Sequence, residues 1–274
     1  MSHTTARDID TSKPHSARMY DYYLGGKDHF AVDKQAAEAV AALLPNVFVG
    51  ARENRAFMHR VTRVLAREHG IRQWLDIGTG IPTEPNLHQV AQSVAPEARV
   101  VYVDNDPLVM RYAERLMRST PQGRTAYVEA DLTDPEGVLT AVELAGVLDL
   151  ARPVALSLNA VLHFITDDLD PYGIVTRLLG ALPSGSVLAL SHGTPDFAPP
   201  NLEKARAVYT SSGTQTRLRS KEEVARFFDG LDLLDPGITV CHRWRPDIHG
   251  GAVPMTGQLP DADIGVWAGA AVKT

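Results

Sequence analysis

Cysteine is nearly missing from this chain of 274 residues, and Cys241 is the single one. No internal disulfide can form, and the histidines show no zinc-type spacing, so no metal is expected. The fold must rest on buried apolar surface, which a chain of this length can supply. Such cysteine usage suits a reducing cytoplasm. No apolar run is long enough to span a bilayer, and the opening MSHTTARDID holds no apolar core of a secretion signal. A cytoplasmic location and no membrane partner are the expectation. A long basic run is also missing. With 27 Lys and Arg against 33 Asp and Glu, the formal net charge is −6, so no nucleic-acid partner is expected. Neither an internal repeat nor a low-complexity tract is found. What is present is ordinary for a soluble globular domain: 44% hydrophobic and 22% charged residues. Oligomeric state is unreadable, and a homo-oligomer stays open.

Residues 1–15 are polar and aperiodic, which predicts a flexible tail. Residues 16–70 read as an N-terminal helical segment. Ala36, Ala37, Val40 and Ala41 share one helical face, as do Phe57, Val61, Val64 and Leu65, and Gly70 is a plausible C-terminal cap. From 71 to 274 strands and helices alternate, as in a core domain. Strands are predicted at 73–76, 100–104, 125–128, 154–158 and 187–190. Helices are predicted around Leu87, Val90, Ala91 and Val94, then from Asp106 and Pro107 as N-cap and N1 through Leu116, and at 172–182, 202–209 and 222–228. This alternation predicts βαβ units and a parallel sheet, an α/β fold. Two last strand candidates, 238–244 and 264–268, flank a Gly/Pro-rich link and predict an antiparallel hairpin at one edge.

In an open parallel sheet a ligand sits outside the carboxyl ends of the strands, where strand order reverses. Three acids fall at such ends. Asp76 precedes the Gly78-Thr79-Gly80 turn, whose glycines let backbone approach a ligand closely. Asp104 closes the second strand at roughly the fingerprint spacing, about 20 residues beyond the glycines, and suits two ribose hydroxyls. Asp131 closes the third and is placed to meet an adenine edge. Singly, each reads equally well as a turn residue or a helix cap; in order, they point to an adenosine-type ligand. The third glycine of a dinucleotide fingerprint is replaced by Thr83, and Pro82 and Pro85 disturb the helix start that a diphosphate needs. A phosphate-free adenosyl ligand with an amino group and a sulfonium fits better than NAD.

The strings ARMYDYYLGGKDHFAVD, ARENRAFMHR, WLDIGTGIPTEPNLHQVA, VVYVDNDPLV and NAVLHF carry a resemblance. With them the chain resembles class I S-adenosylmethionine-dependent methyltransferases, and more narrowly the actinobacterial S-adenosyl methyltransferase family, over nearly all of its length from Ala17. The resemblance implies a Rossmann-like, seven-stranded, mostly parallel sheet with an antiparallel last strand, and S-adenosyl-L-methionine as cofactor. It implies that Asp76, Gly78, Thr79 and Gly80 line the methionine portion. Asp104 would hold the ribose, with Asn105 and Asp106 beside it. Asp131 and Leu132 would flank adenine, and Asn159, Ala160 and Val161 would face the methyl group.

Ahead of the core, Met19, Tyr20, Tyr22, Leu24, Gly25 and Gly26 suggest a lid that screens the sulfonium, since tyrosine faces suit a cation. The alternative is that these tyrosines simply pack the segment onto the core. Arg55 is a candidate partner for the cofactor carboxylate, against the default of a solvated helix arginine. Methyl transfer is an in-line displacement in which positioning supplies about 7–11 kcal/mol, so no general base is required. If one exists, His163 is the first candidate and His192 the second. The expected partner is a small-molecule methyl acceptor, shaped by residues within 192–220 and 241–263. A non-catalytic S-adenosylmethionine-binding or sensing protein is the main alternative, and an NAD-dependent oxidoreductase the third.

Overall fold

The computed structural model describes residues 10–109, 112, 118–141, 146–197, 199–246 and 259–274. Three helices open it: α1 (Ser16–Tyr23), α2 (Ala31–Leu43) and α3 (Val47–Arg67). The alternating part follows with β1 (Gln73–Ile77), α4 (Leu87–Val94), β2 (Arg99–Asp104), β3 (Arg124–Glu129), α5 (Pro135–Thr140) and β4 (Ala155–Asn159). Then come α6 (Pro171–Gly180), β5 (Val187–Gly193), α7 (Leu202–Ser211) and α8 (Lys221–Ala225). The chain closes with β6 (Asp232–Leu233), β7 (Thr239–Val240), α9 (Asp261–Ile264) and β8 (Val266–Val272).

The strands form one sheet in the order β3-β2-β1-β4-β5-β8-β6, with β7 also on β8. The first five are mutually parallel, and β8 runs antiparallel to β5, β6 and β7. Strand order reverses between β1 and β4, which opens a crevice above their carboxyl ends. Period-two alternation divides the core. Leu75 and Ile77 of β1 face one side with Val101, Leu156, Leu188 and the helix residues Ile174 and Leu178. Trp74 faces the other, with Val100, Ala155, Val187 and the α3 residues Phe57, Val61 and Leu65. Both faces are therefore covered, as parallel strands require.

Helix ends follow their local chemistry. The Asp106 carboxylate accepts from the Leu108 amide at 2.9 Å and caps the helical residues 107–109 and 112; the rest of the helix expected through Leu116 lies outside the described residues. At the end of α3, Gly70 takes a left-handed φ of 63° so that the Ile71 amide can bond the Leu65 carbonyl at 3.0 Å.

The C-terminal edge differs from expectation. The strand predicted at 238–244 ends at Val240, where a 3₁₀ turn, Cys241–Arg243, begins. The buried Arg60 side chain bonds the carbonyls of Cys241 (2.6 Å) and Trp244 (2.9 Å), which takes them out of a ladder. Trp244 in turn packs edge-on against Phe57. The last strand starts at Val266 rather than 264, after α9 and a left-handed Gly265, and runs to Val272 because β5 offers a partner along its whole length. Thr239 and Val240 do pair with Ala268 and Trp267, so the expected hairpin partners meet. The two-residue β6 was not expected and brings the sheet to eight strands. Residues 247–258, which hold most of the Gly/Pro-rich link and His249-Gly250-Gly251, lie outside the described residues.

Candidate active site

A cleft of about 1020 Å³ lies over the carboxyl ends of β1, β2 and β4 and continues outward between α1, α7 and the turn after β4. Tyr20, Arg55, Asp76, Gly78, Thr79, Gly80, Asp104, Asn105, Asp131, Leu132, Asn159, Ala160, Val161 and His163 all line it.

Its floor is rich in acceptors. Burial pushes the Asp76 carboxyl up to about 6, while hydrogen bonds from Ser157 and Thr79 and the nearby Arg55 charge pull the other way. The Thr79 hydroxyl lies 3.2 Å from Asp76 Oδ2. Each oxygen of Asp104 accepts one backbone N–H, Gly80 at 2.8 Å and Asp106 at 2.9 Å, leaving lone pairs for a ligand. Burial raises Asp104 above the usual carboxylate range. Burial works to raise Asp131 too, but hydrogen bonds from Thr133 and Asn105 outweigh it and hold this acid low. The Asn159 amide donates to Ser157 Oγ at 2.7 Å, and its own Oδ1 is buried with no partner among the described residues. Gly78 has a φ of 73°, and a Cβ there would stand 2.4 Å from Val161 Cγ2. Only glycine lets these two loops touch.

Arg55 reaches from α3 to this floor. Its Nη2 donates to the Thr83 carbonyl and, at 3.2 Å, to that of Pro85, while its buried Nε has no partner among the described residues. Above it, the Tyr20 hydroxyl donates to the Ala51 carbonyl at 3.0 Å and accepts from Asn54 Nδ2 at 2.9 Å. Asn54 Oδ1 then takes the Ser191 hydroxyl at 2.5 Å, and Ser191 Oγ accepts from the Ala160 amide at 3.0 Å. One chain of hydrogen bonds thus links α1, α3, β5 and the turn after β4.

His163 sits on that turn, with Nδ1 accepting from the Gly193 amide at 3.4 Å. Burial, and secondarily the Arg219 charge, push its imidazole down to about 4, so it is neutral near pH 7. His192 does not line the cleft. Its Nδ1 donates to the Gly193 carbonyl at 2.7 Å and its Nε2 accepts from Arg219 at 3.0 Å, so both nitrogens are spent on structure.

Besides His192, six expected residues lie elsewhere, Leu24 among them, packed against the cluster around Met19. Met19 is 1% exposed and packs with Tyr23, Ala37, Val40, Ala51 and Ala205. Tyr22 turns its hydroxyl to Glu38 at 3.0 Å. Gly25 (φ 81°) and Gly26 close α1, and a Cβ on Gly26 would strike the Asp21 carboxylate. Asp106 is buried, with His15 Nδ1 at 3.1 Å and Arg18 Nε at 3.8 Å from its Oδ2.

Two contributions escaped the sequence reading. Residues 10–15, expected to be tail, are tied down: the His15 amide donates to Asp33 at 2.9 Å, and the Arg18 guanidinium bonds the carbonyls of Asp10 and Lys13. Lys13, Pro14, His15 and Arg18 consequently line the cleft. Arg219, fully buried, bonds the carbonyls of Leu162 (3.1 Å) and Ile165 (3.0 Å) and the Asp167 carboxylate (2.6 Å), and so holds the turn that bears His163. Arginines in polar, aperiodic surroundings gave no signal of burial.

The S-adenosyl methyltransferase family model matches residues 2–274. The chain belongs to the S-adenosyl methyltransferase family. A DUF574 family protein from Streptomyces avermitilis is 51% identical, with a TM-score of 0.93 over 97% of this chain and 100% of that one. A candidate methyltransferase from Thermobifida fusca is 35% identical, with a TM-score of 0.87 over the whole of both chains. An O-methyltransferase family protein from Burkholderia thailandensis shares the Rossmann-like fold at 15% identity, with a TM-score of 0.53 over 84% of this chain and 59% of that one. No curated protein matches.

S-adenosylmethionine is the cofactor of this family, and the cleft of this methyltransferase suits it. Two buried acids and the orphaned Asn159 carbonyl match a ligand with an ammonium, a sulfonium and two ribose hydroxyls. A pyrophosphate would meet Asp76 and Asp104 instead of free amides. α4 starts only at Leu87, so no helix N-terminus backs the glycine turn. The described residues contain no cluster of side chains able to hold a metal, and no described helix is long and apolar enough to cross a membrane.

Proposed function

We propose that this methyltransferase passes the methyl group to a small-molecule acceptor seated in the outer half of the cleft. One observation carries the reading: the cleft does not end at the cofactor residues but runs on, unbroken, to Phe164, Leu202 and Tyr209. A protein that only sensed the cofactor would have no use for that space.

In this reading Asp76 faces the amino group and sulfonium of the methionine portion, and Arg55 Nε meets its carboxylate. Gly78, Thr79 and Gly80 form the bed beneath. Asp104 accepts from the ribose hydroxyls, with Asn105 beside it, and Asp131 and Leu132 flank the adenine. Asn159, Ala160 and Val161 face the methyl group. Tyr20 and the residues from Lys13 to Arg18 cover the cofactor and keep water off the cation. When bound, the cofactor supplies an activated methyl on a sulfonium. The protein's own work is then to align the acceptor atom with it and exclude water, which is where most of the rate arises. His163, neutral and on the acceptor side, is the residue that touches the nucleophile.

The test is methyl transfer from tritiated S-adenosylmethionine to an extract of cells that carry the gene, split by size. Label is expected in the low-mass fraction. Label confined to macromolecules would overturn the small-molecule reading, and cofactor binding with no label anywhere would favour a sensor.

A further inference from the structure

We propose that the acceptor is an uncharged molecule with an apolar body the size of an aromatic ring system, and that it is methylated on a hydroxyl oxygen. The inference rests on the small-molecule reading above and narrows it to a chemical class.

The apolar wall of the outer half is made by Leu44, Phe164, Phe197, Leu202 and Tyr209, and polar side chains beside it, such as Thr166 and Gln215, are uncharged. Such a wall favours an apolar occupant. Tyr23 and Tyr209 spend their hydroxyls on each other, 3.2 Å apart. Among the described residues lining this half, only Asp168, Arg206 and Asp263 are ionic. Arg206 has every nitrogen engaged: Nε with the Thr216 hydroxyl (3.3 Å), Nη1 with Glu203 (2.9 Å) and Nη2 with the Thr216 carbonyl (2.7 Å). Asp263 accepts from Asn46 at 2.7 Å, and Asp168 is exposed. In this half an acceptor carboxylate or phosphate would find no uncommitted cation, and an ammonium no uncommitted buried acid, since Lys13, Arg55, Asp76 and Asp104 belong to the cofactor end. Either ion would lose its hydration without a replacement partner. A hydroxyl loses little, because it arrives neutral.

His163 supplies what a hydroxyl needs. Its Nδ1 accepts the Gly193 amide, so the proton of the neutral ring resides on Nε2, which has no partner among the described residues. Nε2–H therefore donates to the acceptor oxygen and orients a lone pair rather than removing a proton. In the transfer, that lone pair forms the new O–CH₃ bond while the S–CH₃ bond breaks. Its electron pair stays on sulfur, which becomes a neutral thioether, and the hydroxyl proton passes to water in the open cleft.

The test uses the full chain loaded with S-adenosylhomocysteine and three matched probes: naphthol, naphthoate and naphthylmethylammonium. Calorimetry first establishes that the cofactor product binds; its failure would dispose of the cofactor site itself, apart from this proposal. With the product bound, naphthol is expected to bind at least about tenfold more tightly than either ion, and His163→Ala to weaken naphthol about tenfold. Glu203→Ala, which removes the acceptor and so frees Arg206 Nη1, is expected to strengthen naphthoate and leave naphthol unchanged. Methylation of a phenol series is expected to show a pH dependence that follows each phenol's own acidity. An ion binding as tightly as naphthol, or no probe binding to the loaded protein, would overturn the proposal. With S-adenosylmethionine saturating at every pH, so that the Asp76 titration does not enter the rate, a single inflection common to all phenols would overturn the donor role of His163.

Discussion

Asp76 is an acid held where water barely reaches, and its titration reports on the ligand. Its carboxyl stands at about 6 in the folded chain against an ordinary 3.8, chiefly through burial. A raised acid makes its contribution to stability below 3.8 and loses it as the pH climbs through about 6, so at neutral pH the ionised form costs about 2–3 kcal/mol. A cationic ligand reverses that cost. Affinity for S-adenosylmethionine is expected to be level around neutral pH, where the acid is ionised and the ligand's amino group still protonated, and to fall up to about tenfold per unit as pH drops below about 6. Asp76→Asn should flatten this profile, weaken binding at pH 7.5 about 10–100-fold, and raise the melting temperature of the ligand-free protein. Calorimetry across pH with thermal denaturation checks both; an unchanged profile in the variant would exclude Asp76 from the cation's surroundings. Glycines give a second contrast at this scale. Gly78→Ala places a methyl 2.4 Å from Val161, whereas Gly80→Ala meets nothing nearer than Ala17 at 3.9 Å. Both positions have positive φ. Gly80→Ala is therefore expected to cost about 1–2 kcal/mol of strain, and Gly78→Ala to cost more and to lose cofactor binding as the two loops part. Equal losses in denaturant titrations would show that the Gly78–Val161 contact carries no weight.

At the scale of elements, α1 and the residues before it act as a strap. Arg18 is 4% exposed and sits between Asp33 (3.5 Å) and Asp106 (3.8 Å), with its head over the Phe30 ring, while its nitrogens bond the carbonyls of Asp10 and Lys13. Replacing it by methionine keeps the bulk and removes the tie. Cofactor release is expected to quicken about tenfold or more with little change in the association rate, because the strap holds rather than attracts. Stopped-flow traces with S-adenosylhomocysteine distinguish the two, and an unaltered release rate would leave the strap without a role in retention. This strap also marks the limit of what could be read from the amino acids. The five parallel strands were legible, since each is a short apolar run ended by an acid or turn, and so were Asp76, Asp104 and Asp131 at their tips. Arg18 and His15 were not, because their function depends on Asp33 and Asp106, which are distant in sequence. Met19 and Tyr22 misled for the same reason: a helix displays its neighbours on different faces, and only Tyr20 of the three lines the cleft. The broken strand after Val240 is legible only once Arg60 is known to reach across to it.

For the molecule as a whole, the division into a helical segment at 16–70 and a core at 71–274 becomes a physical question about α3. Its buried face sets Phe57, Met58, Val61, Val64 and Leu65 against Trp74, Val100 and Ala155 of the sheet and against Trp244. Arg60 fastens the same helix to the chain's last third through two carbonyls. Removing α3 would bare the part of that sheet face which α4, through Leu87 and Ala91, does not cover, and leave those two buried carbonyls without their donor. The segment is therefore expected to be part of one cooperative unit. Far-ultraviolet dichroism, which follows all helices, and tryptophan fluorescence, which follows Trp74, Trp244 and Trp267, should give coincident urea transitions in the full chain. The fragment 71–274 made alone should lack near-ultraviolet dichroism and bind an apolar dye, because the apolar surface that α3 covers is exposed. A fragment with native dichroism and a sharp transition of its own would mean that α3 caps a finished domain, and that the N-terminal helices were added for the cleft and not for the fold.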